Sequence, residues 1–321
     1  MKSWRPRLRP RPCKSNCPDE IMISVAQQLS FTDMVGDMPP RTKPVNVASV
    51  PQLSPFRYPG GKTWFVPIFR QWVQSQPSRP KLLVEPFAGG GIISLTAAAE
   101  SLCDEVIMAE IDSQVAAVWQ TILSDDADWL ADRIIRFEMT LDNARSVLEN
   151  NYKQTRDIAF QTIIKNRTVH GGILAPGSGL IKHGENGRGI LSRWYPQTIA
   201  RRIKQIHLAR HRIRFLHEDA FDVLERYKNQ DTLFFIDPPY SVPGSKSAGA
   251  RLYTYWEINH EELFSTCHNL RGSFILTYDN AGEVVALAEK HGFQYRQITM
   301  KNTHHAEMSE LAIGRDMSWL E

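Results

Sequence analysis

A short apolar run that ends in two prolines constrains the fold of this chain most. Residues 232–236 are apolar and aromatic after an initial threonine, a composition typical of a strand buried in a parallel sheet. Asp237-Pro238-Pro239-Tyr240 follows at once and ends the strand. Parallel α/β sheets bind ligands beyond the carboxyl ends of their strands, so this motif is predicted to lie at a ligand site. From these residues alone, an ordinary turn capped by Asp237 is the alternative.

A glycine-rich turn earlier in the chain predicts the opening unit of a Rossmann-like sheet. A predicted strand at 81–84 leads into Phe87-Ala88-Gly89-Gly90-Gly91, and a predicted helix covers 92–99. The glycines let the backbone approach a ligand, and the first turn of the helix offers free amides. Ser94 replaces the third glycine of the dinucleotide fingerprint, which disfavours an NAD-dependent oxidoreductase.

Two further signals accompany this turn. A predicted strand at 105–109 runs into Glu110-Ile111-Asp112, about twenty residues after the turn, where nucleoside-binding sheets place an acid that binds ribose. Upstream, Pro59-Gly60-Gly61-Lys62 exposes backbone amides beside a positive charge, which suits a carboxylate or phosphate ligand. A plain loop before a helix is the alternative for that segment. Together the signals indicate a cofactor that contains adenosine.

The alternation of strand and helix lapses between residues 125 and 205. Helices are predicted at 127–141, 143–150, 157–164 and 197–205, with a glycine-rich loop at 170–189. No acidic residue occurs between Arg188 and Arg214, where basic residues accumulate beside Trp194 and Tyr195. A solvated charged face is the alternative, but the one-sided charge favours binding to a nucleic-acid backbone.

Composition bounds the remaining possibilities. The chain has 321 residues and a formal net charge of +3, and its four cysteines are too scattered for a disulfide framework. We expect a cytoplasmic protein without a membrane span or a metal, since Cys13 and Cys17 lack a second ligand pair. Residues 1–50 are basic and proline-rich, which predicts a disordered tail. One hypothesis is that this tail reflects an upstream start codon, with Met22, Met34 or Met38 as the true start.

In this order, the motifs resemble those of the Dam-type DNA adenine N6-methyltransferases. The order is a Gly-Gly-Lys loop, a Phe-x-Gly-x-Gly turn, an acid, a target-recognition insert and Asp-Pro-Pro-Tyr. The resemblance extends from Ser54 to Ile313. It implies an α/β fold, namely the Rossmann-like class I methyltransferase sheet with helices on both faces and a helical insert. It also implies S-adenosylmethionine as the methyl donor, double-stranded DNA as the partner, and a possible restriction-modification context.

The resemblance also implies site residues. It assigns catalysis to Asp237, Pro238, Pro239 and Tyr240. Cofactor contacts are assigned to Tyr58, Gly60, Gly61, Lys62, Phe87, Gly89, Gly91, Glu110, Asp112, Asp219 and Asp237, although the position of the acid in Glu218-Asp219 is ambiguous by one residue. We predict DNA contacts by Asn166, Arg167, Lys182, Arg188, Arg193, Arg201 and Arg202. Asn166-Arg167 matches a family pair, but the stretch after it departs from the family pattern, so the GATC target should not be assumed.

The expected chemistry explains these residue types. An exocyclic adenine amine is a poor nucleophile. The Asp237 carboxylate and the Pro238 carbonyl can accept hydrogen bonds from its two N–H groups. Tyr240 offers a face on which an extruded base can stack. Cytosine N4, an RNA adenine and a protein side-chain amide are the alternative acceptors, and a non-catalytic DNA-binding relative is the alternative from another class. The basic insert disfavours the protein substrate.

The expected organisation is a tail at 1–50, a catalytic domain built from 51–124 and 206–321, and a target-recognition insert at 125–205. We expect a monomer or a weak dimer.

Overall fold

The computed structural model describes residues 50–239, 252–301 and 307–320. The predictions for the tail before residue 50, for Tyr240 and for the loop after it lie outside the described residues. Seven strands form one sheet. They are β1 (Leu82–Glu85), β2 (Glu105–Ala109), β3 (Ile213–Leu216), β4 (Leu233–Ile236), β5 (Ser273–Asp279), β6 (Gln294–Lys301) and β7 (Glu307–Gly314).

The strand order identifies the fold. The sheet runs β3-β2-β1-β4-β5-β7-β6. Strands β1 to β5 are parallel, and β7 pairs antiparallel with β5 on one side and β6 on the other. This mixed order is that of the Rossmann-like class I methyltransferase sheet, so the predicted fold class is confirmed.

Ten α-helices connect and flank these strands in the described residues. They are α1 (Val66–Gln74), α2 (Ile92–Ala99), α3 (Ser113–Leu123), α4 (Ala127–Arg136), α5 (Leu141–Glu149), α6 (Thr155–Thr168), α7 (Pro196–Leu208), α8 (Ala220–Tyr227), α9 (His260–His268) and α10 (Gly282–Lys290). Among them, no helix has the length and apolar character to cross a membrane.

The sheet is buried on both faces because side chains alternate along each strand. Leu83 and Phe235 belong to one hydrophobic cluster, while Val84 and Phe234 belong to the other. All four side chains are at most 1% exposed. The continuous apolar runs that predicted buried strands are explained by this double coverage.

The insert helices α4 to α7 lie between α3 and β3 in the chain and share the first hydrophobic cluster with the sheet. The predicted helix at 127–141 ends earlier, at Arg136, and α5 begins at Leu141. Thr140 explains the second boundary, since its side chain accepts a hydrogen bond from the Asn143 amide at 3.1 Å and caps α5. The insert is therefore packed onto the sheet through a common core.

Candidate active site

Four carboxylates collect at the carboxyl edge of the central strands. Glu85 ends β1, Asp237 follows β4 directly, and Asp279 ends β5. The antiparallel β7 brings Glu310 opposite Asp279 in the ladder. Parallel neighbours end at the same edge of a sheet, which is why residues so distant in sequence converge here.

A buried lysine connects this edge to the Gly-Gly-Lys loop. The Nζ atom of Lys62 lies 3.0 Å from Asp237 Oδ1 and 3.1 Å from Glu310 Oε2. It also donates to the Gly60 carbonyl at 3.2 Å. Burial lowers the pKa of Lys62, but Asp237 and Glu310 raise it more, so its pKa stands above the ordinary value. Lys62 is therefore a charged ammonium shared by two carboxylates.

Asp237 is held from a second side. The hydroxyl of Thr277, on β5, donates a 2.7 Å hydrogen bond to Asp237 Oδ1, the same oxygen that faces Lys62. The Asp237 side chain keeps 20% of its exposure, against 3% for Lys62. The carboxylate is thus fixed in direction while it remains accessible at the mouth of the edge.

Glu110 organises the glycine-rich turn. Its Oε2 accepts the Gly89 amide at 3.0 Å, and its Oε1 accepts the Asp112 amide at 2.9 Å. The indole of Trp119 donates to the Gly89 carbonyl at 3.0 Å. Burial raises the pKa of Glu110 to about 7. The acid that the sequence assigned to ribose therefore also ties the end of β2 to the turn.

Tyr58 lies on this turn. A Cβ atom placed on Gly89 would stand 2.6 Å from Tyr58 Cε1, and Gly89 has a φ of +46°, so only glycine fits. Tyr253 approaches from the other side, with its hydroxyl donating to the Pro59 carbonyl at 3.1 Å and its ring centroid 6.1 Å from that of Tyr58. The aromatic pair and the turn form a cradle made of backbone and flat rings, which suits an adenosine-containing ligand.

The other predicted cofactor residues are more dispersed. Gly91, with a φ of +65°, is the residue before α2, and half-buried Phe87 packs against the second hydrophobic cluster. The side chain of Asp112 caps α3 by accepting the Gln114 amide at 2.8 Å. Asp219 caps α8 through Phe221 at 2.8 Å and follows β3, three strand positions from β4. Its contact with the cofactor remains a prediction.

Three insert side chains bind the backbone of the segment before Tyr58. Asn166 is fully buried and pairs with Arg57, accepting its amide at 2.9 Å and donating to its carbonyl at 2.9 Å. Arg167 donates from Nη2 to the Pro55 carbonyl, and Arg202 donates to the Ser54 carbonyl at 3.0 Å. We call these three residues the strap. They connect α6 and α7 to the loop that carries Tyr58 and Lys62.

Two of the three strap residues are arginines, and other arginines lie near them. Burial, with Arg202, Arg57 and Arg193 nearby, lowers the pKa of Arg167 to about 9. The predicted DNA contacts of Asn166 and Arg167 stay predictions, and the hydrogen bonds described here are internal. The other predicted contacts lie nearer the surface, with Lys182, Arg188 and Arg201 exposed and Arg193 half-buried.

Several site residues were not predicted from the sequence. Thr277 and Glu310 contact the Asp237–Lys62 pair, Tyr253 packs against Tyr58, and Trp119 anchors the turn. Glu85 is 3% exposed and accepts the Ser94 amide at 2.9 Å, and burial raises its pKa to about 8. A carboxylate at the end of an apolar strand was the available signal for Glu85, whereas Glu310 lies within β7.

Comparison with known families supports the predicted relationship. Residues 58–168 match the model of the D12 class N6 adenine-specific DNA methyltransferases. The match covers about a third of the chain and confirms the predicted resemblance over these residues. Within the described residues, no group of three or more His, Cys, Asp or Glu side chains could hold a metal ion. Comparison with curated proteins gave no match.

Solved structures show only distant likeness. An S-adenosylmethionine-dependent methyltransferase from Agrobacterium tumefaciens has 10% identity and a TM-score of 0.37, and the alignment covers 79% of this chain and 61% of that one. An rRNA methyltransferase from Streptomyces viridochromogenes has 13% identity and a TM-score of 0.33, with 77% and 82% covered. This chain thus spans about three fifths of the length of the first relative. At these scores we infer nothing about function from either structure.

Proposed function

We propose that this chain transfers a methyl group from S-adenosylmethionine to the N6 amine of an adenine that has been flipped out of double-stranded DNA. The observation that carries the proposal is the placement of Asp237. This carboxylate stands at the ligand edge of the sheet, fixed by Lys62 and Thr277. The family match over residues 58–168 supports adenine as the acceptor.

Asp237 supplies what an exocyclic amine lacks. The nitrogen lone pair is delocalised into the ring, and accepting an N–H bond favours the tetrahedral nitrogen that can attack. Pro238, by its restricted backbone, holds its carbonyl as the second acceptor. Tyr240 is assigned to stack on the flipped base.

The bonds that change are few. S-adenosylmethionine, when bound, supplies a methyl group on a positively charged sulfur. The nitrogen–carbon bond would form as the sulfur–carbon bond breaks, the electron pair of that bond would stay on sulfur, and the surplus amine proton would pass to solvent by way of Asp237. No covalent bond to the protein is needed, so the contribution of these residues is positioning and hydrogen bonding.

The cofactor is assigned to the cradle made by Tyr58 and the glycine turn. Glu110 is suited to the ribose hydroxyls because its carboxylate is held at the turn by two backbone amides. Lys62 lies in the loop that carries Tyr58. Its ammonium contacts Asp237 and also acts electrostatically on Tyr253 of the cradle. Gly60 and Gly61 allow the loop to approach this closely, since a Cβ on Gly60 would stand 2.9 Å from the Tyr253 hydroxyl oxygen.

The insert at 125–205 is assigned to target recognition, and 51–124 with 206–321 to catalysis. Lys182, Arg188 and Arg201 are exposed, so their charges are accessible to phosphates. The loop between α6 and α7 is the proposed reader of base edges. Because this loop departs from the family pattern, the DNA sequence that it reads has to be determined by experiment.

A methylation map tests this function. The chain is expressed in a host that lacks DNA methylation, and the host DNA is sequenced with detection of modified bases. N6-methyladenine in one sequence context is expected, and it should vanish with Asp237→Ala. Methylation of cytosine N4 would support that base as the acceptor. Unmodified DNA together with methylated RNA would show that RNA is the substrate.

A further inference from the structure

The ammonium of Lys62 is shared between one carboxylate that faces the proposed substrate and one that does not. Lys62 Nζ lies 3.0 Å from Asp237 Oδ1 and 3.1 Å from Glu310 Oε2. Glu310 is 6% exposed and sits in the middle of β7, within a ladder to β5 and β6. Burying a carboxylate in a strand costs desolvation free energy, so a carboxylate at this position does not serve the stability of the strand.

We infer that Glu310 is a positioning residue that sets, through Lys62, how strongly Asp237 accepts hydrogen bonds from the methylated amine. The inference rests on the proposed function. An ionised Glu310 draws part of the ammonium charge, which leaves more negative charge on Asp237 for the substrate. A neutral Glu310 no longer competes for the ammonium, which then neutralises more of the charge on Asp237, and Asp237 becomes a weaker acceptor.

The surroundings of Glu310 allow this control near neutral pH. Burial raises the pKa of Glu310 to about 7, with Lys62 opposing the rise and Asp237 and Asp279 adding to it. Asp279 ends β5, and the hydroxyl of Tyr253 also faces this group of charges. Because the ionised form is the active one, the methylation rate should rise with pH through about 7.

Glu310→Gln separates this role from a structural one. The amide keeps the shape and can accept from Lys62, but it cannot ionise. Single-turnover methylation is measured from pH 6 to 9 with saturating cofactor and DNA, so that titration of groups that affect binding does not contribute. We expect the variant to match the wild type at pH 6, to fall about tenfold below it at pH 8, and to lose the rise between them.

Glu289→Gln is the matched control, because Glu289 is an exposed glutamate on α10. It should keep the wild-type profile. An unchanged profile in Glu310→Gln would overturn the inference. A wild-type methylation rate that does not change between pH 6 and 8 would also overturn the inference. That measurement does not depend on whether the variant folds. A wild-type protein that methylates no adenine would instead defeat the proposed function.

Discussion

At the scale of single residues, the site depends on charges that are held rather than exposed. Lys62 is the clearest case, since it is 3% exposed yet touches two carboxylates. A buried charge of this kind is tolerated only when its partners are in place. The three side chains therefore act as one unit, and a change in one alters the others.

Asp237→Ala should abolish methyl transfer while leaving cofactor binding nearly intact. The reason is that the amine loses its main acceptor, whereas the Tyr58 and Glu110 contacts are untouched. Methylation of DNA by radiolabelled cofactor measures the first effect, and calorimetric titration with the cofactor measures the second.

Asp237→Asn is the matched control, since it keeps the shape and one acceptor oxygen. We expect activity between those of the alanine variant and the wild type. Full activity in Asp237→Ala would refute its assignment.

At the scale of elements, the strap links the insert, to which we assign target recognition, to the loop that carries Tyr58 and Lys62. Asn166→Ala removes both hydrogen bonds to Arg57, each to a partly buried backbone group. We expect KM for the cofactor to rise about tenfold or more, because two unpaired backbone groups would loosen the loop that carries Tyr58 and Lys62. Steady-state kinetics at saturating DNA measures the change.

Asn143→Ala serves as the comparison, since its side chain donates to the Glu138 carbonyl at an exposed place on the same insert. It should leave KM for the cofactor unchanged. An Asn166→Ala enzyme with a normal KM would mean that the strap does not position the loop.

Helix α7 carries two adjacent arginines with different surroundings. Arg201 is exposed, whereas Arg202 is half-buried and donates to the Ser54 carbonyl. Arg201→Ala should weaken DNA binding and lower the salt slope by about one unit, with unchanged thermal stability. Arg202→Ala should additionally lower the melting temperature, because it removes part of the strap.

Fluorescence anisotropy over a series of salt concentrations gives both slopes. An unchanged slope in the Arg201 variant would remove that residue from the interface.

At the scale of the whole molecule, buried acids make stability depend on pH. Burial raises the pKa of Glu85 to about 8, above its unfolded value near 4.5. Folding therefore favours the neutral carboxyl, and this contribution is complete below about pH 4.5 and is lost as pH rises through about 8.

Glu85→Gln should stabilise the protein at pH 9 by roughly 1 kcal/mol, a rise of about 3 °C in melting temperature, and have little effect at pH 5. Thermal unfolding followed by circular dichroism at both pH values checks this. Glu100→Gln, at a half-exposed ion pair with Arg70, is the control. A variant that is less stable than the wild type at pH 9 would show that Glu85 is ionised in the fold.

The sequence predicted the sheet well because its strands are buried and apolar. Strand β2 has the predicted bounds, and β4 differs by one residue. The motifs also indicated Lys62, Glu110 and Asp237, whose neighbours along the chain are distinctive. Thr277 and Glu310 have no such neighbours: the pairing of β4 with β5 brings Thr277 to Asp237, and the pairing of β5 with β7 brings Glu310 to Lys62. Asn166 was expected at a DNA surface because nothing in its sequence shows that it is buried.

The antiparallel strand β7 has a consequence for the timing of biosynthesis. Lys62 is made early by the ribosome, and its second carboxylate, on β7, is among the last parts of the sheet to be made. Domains fold as units during translation at about 5–20 residues per second. The 31 residues from Asp279 to Glu310 take about 2–6 seconds to synthesise at that rate, so a nascent chain lacks the contact between Lys62 and Glu310 for that time after β5 is made.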